Sequence, residues 1–374
     1  MRIAVLDVGS DSAHLTITDL RAGEPPRPVA RVKHPTRLAE AINRDGAING
    51  PTARRLVSAV QQAVRAAEAE GTDQVIAFAT SAVRDATNRE EIIEQVASAT
   101  GVTLGILPGE DEARLTFLAA RAWYGWSAGQ MLLLDIGGGS LEIAVGDGTE
   151  PAAGLSLPLG AGRLTREHLP DDPPRHKQLR RLHRHVDEQL AATLGALSDQ
   201  PPPVQAVATS KTFTQLAKLT GAPKAKAGPY AHRVLDRGRL RALLPRLAKM
   251  TDKQRAKLRG VSKSRARQVL AGAVVAEAVM TSLDLESVHI CPWTLREGIT
   301  QRRLQTLPLS AAVAGDIACL IQTPPHRPRQ RPELRFGPPA SAIALWLFCL
   351  KCLGYPRPRS NETGGTDQLG DSPV

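Results

Sequence analysis

Aromatic side chains are scarce in this sequence, 3% of 374 residues, so any core must be built mainly from Ala, Val, Leu and Ile. Cysteine is scarce too. Cys291, Cys319, Cys349 and Cys352 are too few to make a disulfide framework for a chain this large. Cys349 and Cys352 form a lone C-x-x-C without the second pair that completes a zinc site, and read more simply as incidental thiols in an apolar stretch. No run reaches the ~18 uncharged apolar residues needed to span a bilayer. The longest candidate, Ala340 to Leu350, is too short, and the opening run Ile3 to Leu6 is cut off at Asp7, so no secretory signal is expected. These absences predict a cytoplasmic protein with no membrane partner.

Acidic charge is in short supply only in part of the chain. The net charge of +11 is distributed as −2 over residues 1–125, +11 over 126–308 and +2 beyond. A basic half beside a nearly neutral one suits a polyanionic partner, although a solubilising surface gives the same count. The densest basic run, 249–267, contains Lys253, Arg255, Lys257, Arg259, Lys263, Arg265 and Arg267 without interleaved aromatics. That pattern argues against stacking on single-stranded nucleic acid and leaves guidance of another polyanion, or a solvated face. His183 and His185 among Arg180, Arg181 and Arg184 read as a basic helix face rather than as metal ligands.

Periodicity predicts alternating strands and helices. Strands are expected at 2–6, 14–19, 74–79, 102–107, 131–134, 141–145, 205–209 and 288–291. Helices are expected at 52–70, 89–100, 110–123, 175–197, 237–249, 263–283 and 295–304. The opening strand ends in Asp7-Val-Gly-Ser10, and 128 residues later another ends in Asp135-Ile-Gly-Gly-Gly-Ser140. The echo suggests two related α/β halves, expected at 1–125 and 126–307. Residues 308–374, rich in Pro and Arg and then in Gly, Ser and Pro, are expected to be a disordered tail.

Two strand–Asp-x-Gly–turn–strand units are a physical solution for holding phosphates. Gly9 and Gly137 to Gly139 let backbone N–H groups turn toward an anion. Asp7 and Asp135 sit where a carboxylate can hold a divalent cation, and Ser10 and Ser140 add hydroxyl donors. Further along lie Ala79-Thr-Ser-Ala-Val-Arg84, Pro108-Gly-Glu-Asp-Glu-Ala-Arg114, Thr209-Ser-Lys-Thr212 and Cys291-Pro-Trp-Thr-Leu-Arg-Glu-Gly298. In this order, over residues 1 to about 305, these motifs resemble the exopolyphosphatase/guanosine pentaphosphatase family of the actin-like ATPase superfamily.

The resemblance implies two ribonuclease-H-like α/β domains facing one another across a cleft. It implies that Asp7 to Ser10 and Asp135 to Ser140 are the two phosphate loops, and that Arg84 binds a phosphate, a task that suits a guanidinium fork. Glu112 matches the general base for the attacking water, Asp135 and Glu142 the carboxylates near a magnesium ion, and Ser210 and Lys211 the third loop. The bottom-up chemistry agrees: phosphoanhydride hydrolysis needs an oriented water, a carboxylate to take its proton, and cations around the transferred group. Plainer readings exist. Glu112 beside Glu110 and Asp111 fits a first-turn acid, Arg84 an ion pair with Asp85 or Glu90, and Lys211 a solvated helix start.

The sequence departs from the family pattern in three places. Asp11 stands where Asn or Thr is usual, which is expected to put extra negative charge near the phosphates. Leu141 replaces a Thr, and Ala208 a Gly. The expected substrate is inorganic polyphosphate. Guanosine pentaphosphate, a non-catalytic sensor of either ligand, or a kinase of the same superfamily are the alternatives, although the aspartate base and adenosine loop of the kinases are not found. Nucleic acid is not expected as a partner, and a homodimer is left open.

Overall fold

Two β-sheets of the same construction carry the molecule. The structure is a computed structural model that describes residues 1–308 apart from 39, 40, 44 and 229. The expected tail beyond 308, with its apolar stretch and the Cys349–Cys352 pair, lies outside the described residues.

The first half runs β1 (Arg2–Val8), β2 (Ser12–Asp19), β3 (Arg27–Pro35), α1 (Gly50–Ala69), β4 (Gln74–Ala79), α2 (Ser81–Arg84), α3 (Arg89–Thr100), β5 (Gly105–Ile106) and α4 (Gly109–Tyr124). The second runs β6 (Met131–Ile136), β7 (Leu141–Gly146), β8 (Ala153–Leu157), α5 (Ala161–His168), α6 (His176–Thr193), β9 (Gln205–Thr209), α7 (Ser210–Leu219), β10 (Val234–Asp236), α8 (Arg237–Lys249), α9 (Asp252–Arg255), α10 (Val269–Ser282), β11 (Ser287–Ile290) and α11 (Leu295–Gln305).

The strand orders are β3-β2-β1-β4-β5 and β8-β7-β6-β9-β11-β10. In each half a hairpin, β1–β2 or β6–β7, is followed by a parallel crossover strand, β4 or β9. The echo seen in the sequence is therefore an echo of topology. It extends to the ends of β4 and β9, where Ala79-Thr-Ser and Ala208-Thr-Ser each lead straight into a helix.

One face of the first sheet packs on α1 and α3, and the second sheet packs on α5 to α8 and α10 around a large aliphatic core. The helix α10 is buried nearly all round, from Val269 to Met280, as its uniformly apolar sequence requires. The remaining two faces are covered by α4 and α11. Ala113, Phe117 and Ala120 of α4 pack with Met131, Leu133 and Val207 of the second sheet. Leu295 and Ile299 of α11 pack with Ile3, Val5 and Phe78 of the first. The helix that ends the first half thus covers the second sheet, and the helix that ends the second half covers the first. The two cross closely. A Cβ at Gly298 would lie 1.8 Å from the Leu115 carbonyl oxygen, so only glycine permits the crossing.

Several elements depart from expectation. The strand expected over 102–107 is reduced to Gly105–Ile106, and the helix expected over 263–283 begins only at Val269, after a 3₁₀ turn. The edge strand β3, with β8, α5 and α7, had no sequence signal. In β3 the exposed positions Arg27, Arg31 and Lys33 alternate with half-buried ones, and Pro28 interrupts the apolar pattern. The expected basic guidance surface at 249–267 is also overturned in part. Arg255 is buried, with its side chain 1% exposed. It pairs with Asp172 at 3.2 Å and donates to the carbonyls of Leu247 and Ala266. Arg267 pairs with the same aspartate and donates to the carbonyls of Leu169 and Pro170. These arginines hold the second half together and cannot guide a ligand, whereas Lys253, Lys257 and Lys263 remain exposed.

Candidate active site

The ends of β1 and β6 lie at the base of a cleft of about 380 Å³ whose walls come from both halves. Its lining includes Asp7, Gly9 and Ser10 of the first turn and Asp135, Gly137, Gly138 and Ser140 of the second. Glu112, Ser210 and Lys211 line it too, whereas Arg84, Gly139 and Glu142 of the residues that the sequence brought forward do not. Gly139 lies behind this surface. A Cβ on Gly138 or Gly139 would come within 2.5 Å of the Ser10 Cβ or 2.4 Å of the Ser81 Oγ. These two glycines are demanded by the closeness of the turn to the first half, a packing reason added to the backbone freedom expected of them.

Arg84 and Glu112 meet at one end of the cleft. Arg84 ends α2, and its Nη1 donates to the Leu107 carbonyl at 3.0 Å and to Glu112 Oε2 at 3.2 Å. Its Nε also pairs with Asp85 at 3.2 Å, and Asp85 contacts Arg163 from the other half. The simple ion pair proposed for Arg84 is therefore present, and the same guanidinium orients Glu112. Glu112 stands in the first turn of α4, but it is no solvated acid: its side chain is 15% exposed. A second cavity, lined by Arg84, Gly109, Ser140 and Ser156, continues beyond Arg84.

Asp135 and Glu142 are direct cross-strand partners in the β6–β7 hairpin. Like charges in that position are destabilising, so the pair is costly unless a proton or a cation offsets one of them. Glu142 is 1% exposed and lines neither cavity. It accepts a hydrogen bond from Ser156 at 3.0 Å, and the Ser140 hydroxyl also favours its charged form. The Ser210 hydroxyl lies near enough to Asp135 to favour its charged form. Ser210 has φ +80°, a left-handed conformation that strains a residue with a side chain and explains why glycine suits this turn.

Burial, then the Glu142 charge, pushes Asp135 up to about 8. Burial pushes Glu142 up to about 7 against its two serine hydroxyls. Burial and Glu142 hold Glu112 well above the ordinary carboxylate range, with Arg84 opposing. Asp7 is raised by burial although Arg296 pairs with it at 2.9 Å. The cleft floor therefore concentrates acids whose charge the protein compensates poorly. Among the described residues no three His, Cys, Asp or Glu converge as a ready-made metal cage.

Among the cleft residues that sequence reasoning gave no role are Arg296, His14 and Lys33, while Arg265 entered only through the basic run 249–267. Arg296 is brought to Asp7 by α11, whose start is set by a Thr294–Glu297 capping box. His14 and Lys33 come from β2 and β3, and Arg265 from the turn before α10. Arg265 answers the concern about Asp11: it pairs with that carboxylate at 2.5 Å, and Gln268 Nε2 donates to it at 3.1 Å. The extra acid is spent on joining the two halves.

The profile of the Ppx/GppA phosphatase family matches residues 16–307. The chain is 50% identical over 306 residues to "Exopolyphosphatase 1" of Mycobacterium tuberculosis, covering 82% of this chain and 89% of that protein. It is 48% identical over 323 residues to "Exopolyphosphatase 1" of Mycobacterium leprae, covering 86% and 93%. Among solved structures, the Ppx/GppA enzyme of Aquifex aeolicus superimposes with a TM-score of 0.66 at 26% identity, over 80% of this chain and 98% of that one. An exopolyphosphatase of Cytophaga hutchinsonii gives 0.74 at 24%, over 83% and 100%, and so speaks to the fold. That fold is the actin-like ATPase arrangement of two α/β domains. Among the described residues no helix is long and apolar enough to cross a membrane.

Proposed function

The chain belongs to the Ppx/GppA phosphatase family, and we propose that it is an exopolyphosphatase, releasing terminal phosphate from inorganic polyphosphate by attack of water. The observation that carries this reading is the pair Arg84–Glu112 at one end of a cleft whose floor is two Asp-Gly turns. Glu112 is the general base. It is shielded enough to hold a proton acceptor of raised basicity and is aimed by Arg84. Water oriented on Glu112 attacks the terminal phosphorus and yields its proton to Oε1 or Oε2. Arg84 and the turns at Gly9–Ser10 and Gly137–Ser140 hold the transferred group, with Ser210 and Lys211 on the far side.

A divalent cation, magnesium first, fits the donor set. Asp135 is an acid with a hydroxyl beside it and no ion pair in the described residues, and Glu142 lies directly across the strand from it. Magnesium characteristically takes one or two carboxylates and completes its shell with water and substrate phosphates, which suits a site without a full protein cage. Asp135 would hold it, with Glu142 behind and Asp7 partly engaged by Arg296. The cation supplies charge compensation for the phosphates.

Orthophosphate release is to be followed on long-chain polyphosphate and on guanosine pentaphosphate, with and without magnesium. Faster release from polyphosphate supports the reading. Release from the nucleotide alone would reassign the substrate, and binding without release from either would make the protein a sensor.

A further inference from the structure

The catalytic groups account for the terminal phosphate but not for the chain behind it. Attacking and leaving oxygens in phosphoryl transfer lie roughly in line, so the leaving chain must depart on the side opposite Glu112. Asp7 of β1 is in register with His14 of β2, and His14 with Lys33 of β3. On its other side Asp7 is in register with Phe78 of β4, and Phe78 with Gly105 of β5, whose chain leads on to Glu112. Lys33 and Glu112, which both line the cleft, therefore lie on opposite sides of Asp7.

Lys33 projects from β3 of the first half, and Lys211 opens α7 of the second; both line the cleft and both are exposed. Among the described residues neither has an ion pair, whereas Arg265 and Arg296 beside them are held by Asp11 and Asp7. Two unpaired lysines that repel one another, one from each half, make a site that an anion would relieve.

Beyond Lys33 the basic character continues. Arg31 is two residues along the same strand, hence on the same face and about 7 Å away. Its side chain is 59% exposed, with Glu297 at 3.8 Å. Lys33 is paired in register with His14 and Arg31 with Thr16, so the stripe runs outward over the open edge of the first sheet. The second half offers no equivalent route through Arg255 and Arg267, which are consumed by Asp172.

We propose that Lys33, with Lys211 opposite, holds the phosphates of the leaving chain, and that the remaining polyanion passes out of the cleft along β3 past Arg31. This rests on the hydrolase reading above. The bridging oxygen departs with its electron pair on the shortened chain, whose phosphates Lys33 and Lys211 hold alike before and after the bond breaks, so their contribution is to binding rather than to the chemical step.

The test compares Lys33→Gln, Arg31→Gln and Lys257→Gln with the wild type on long-chain polyphosphate and tripolyphosphate. Initial rates and equilibrium binding of both chains are measured at low and raised salt. Loss of a charge-assisted phosphate contact at Lys33 should raise KM about tenfold on both substrates, with kcat little changed. Arg31→Gln should raise KM about threefold for the long chain and flatten its salt dependence. Lys257→Gln, on the exposed second-half run, should leave both unchanged. Unaltered KM and binding in Lys33→Gln would overturn the proposal. So would a loss confined to kcat, or a larger long-chain effect from Lys257→Gln than from Arg31→Gln. A wild type that binds the chains but releases no orthophosphate would overturn the hydrolase reading instead, and the binding comparison would still decide the track.

Discussion

Replacing Glu112 by Gln changes one atom's chemistry and little of the shape around it. The amide oxygen can still accept the Arg84 Nη1 proton that reaches Oε2 at 3.2 Å, so Arg84 and the first turn of α4 should stay in place. What disappears is the proton acceptor. A positioned general base contributes roughly 10²–10⁴ in rate, so the barrier should rise by about 3–5 kcal/mol. Substrate binding should persist or tighten, since one negative charge leaves the phosphate cleft. The sign of the pH effects follows from the raised Glu112. The wild-type rate should fall as pH drops through the range where Glu112 takes up a proton, and the variant should lack that limb. A carboxyl raised on folding supports the fold below its unfolded value and loses that support as pH rises. At alkaline pH the variant should therefore melt no lower than the wild type. Single-turnover orthophosphate release, with polyphosphate binding measured in parallel, checks the set. Near-normal turnover in Glu112→Gln would refute the assignment of the base.

Asp135→Ala should abolish most activity, and excess chelator should do the same to the wild type; full activity in chelator would remove the cation from the account. Arg255→Ala should cost roughly 2–4 kcal/mol in denaturant unfolding, because it empties a buried side-chain site, leaves two carbonyls without their donor and leaves Asp172 to Arg267 alone. A selective rise in KM without loss of stability would restore Arg255 to the surface. Arg265→Gln should weaken polyphosphate binding about tenfold by baring Asp11 to the substrate, and Asp11→Asn in the same chain should recover most of it. Independent, additive effects would show that the two residues are not coupled. A chain ending after Leu307 should keep its activity, since every residue given a role precedes it, and loss of hydrolysis would show a contribution from the remainder.

The hairpin turns at Asp7 and Asp135 were legible because each is punctuated by Gly and flanked by short apolar runs, a local signal that survives in any context. The helices at 89–100 and 237–249 were equally plain. What sequence could not show depends on long-range approach. Arg255 sits in a run that looks solvated, and only the tertiary contact with Asp172 makes it structural. Asp11 looks like an unfavourable charge until Arg265, 254 residues on, is brought to it. The need for glycine at 138 and 139 comes from Ser10 and Ser81 in the other half. Arg296 stood inside a quoted motif with no assigned role, because nothing local reveals that α11 crosses back to the first sheet and delivers it to Asp7. The edge strand β3 escaped notice for a different reason: its exposed face is basic, and that is the face now assigned to the substrate.

The central claim is that water, activated at Glu112, attacks the terminal phosphorus of polyphosphate. Hydrolysis in ¹⁸O-labelled water with magnesium present, followed by mass analysis of both products in a single turnover, tests it directly. The account predicts one ¹⁸O in the released orthophosphate and none in the shortened chain. Label in the chain end, or an absence of orthophosphate, would contradict it.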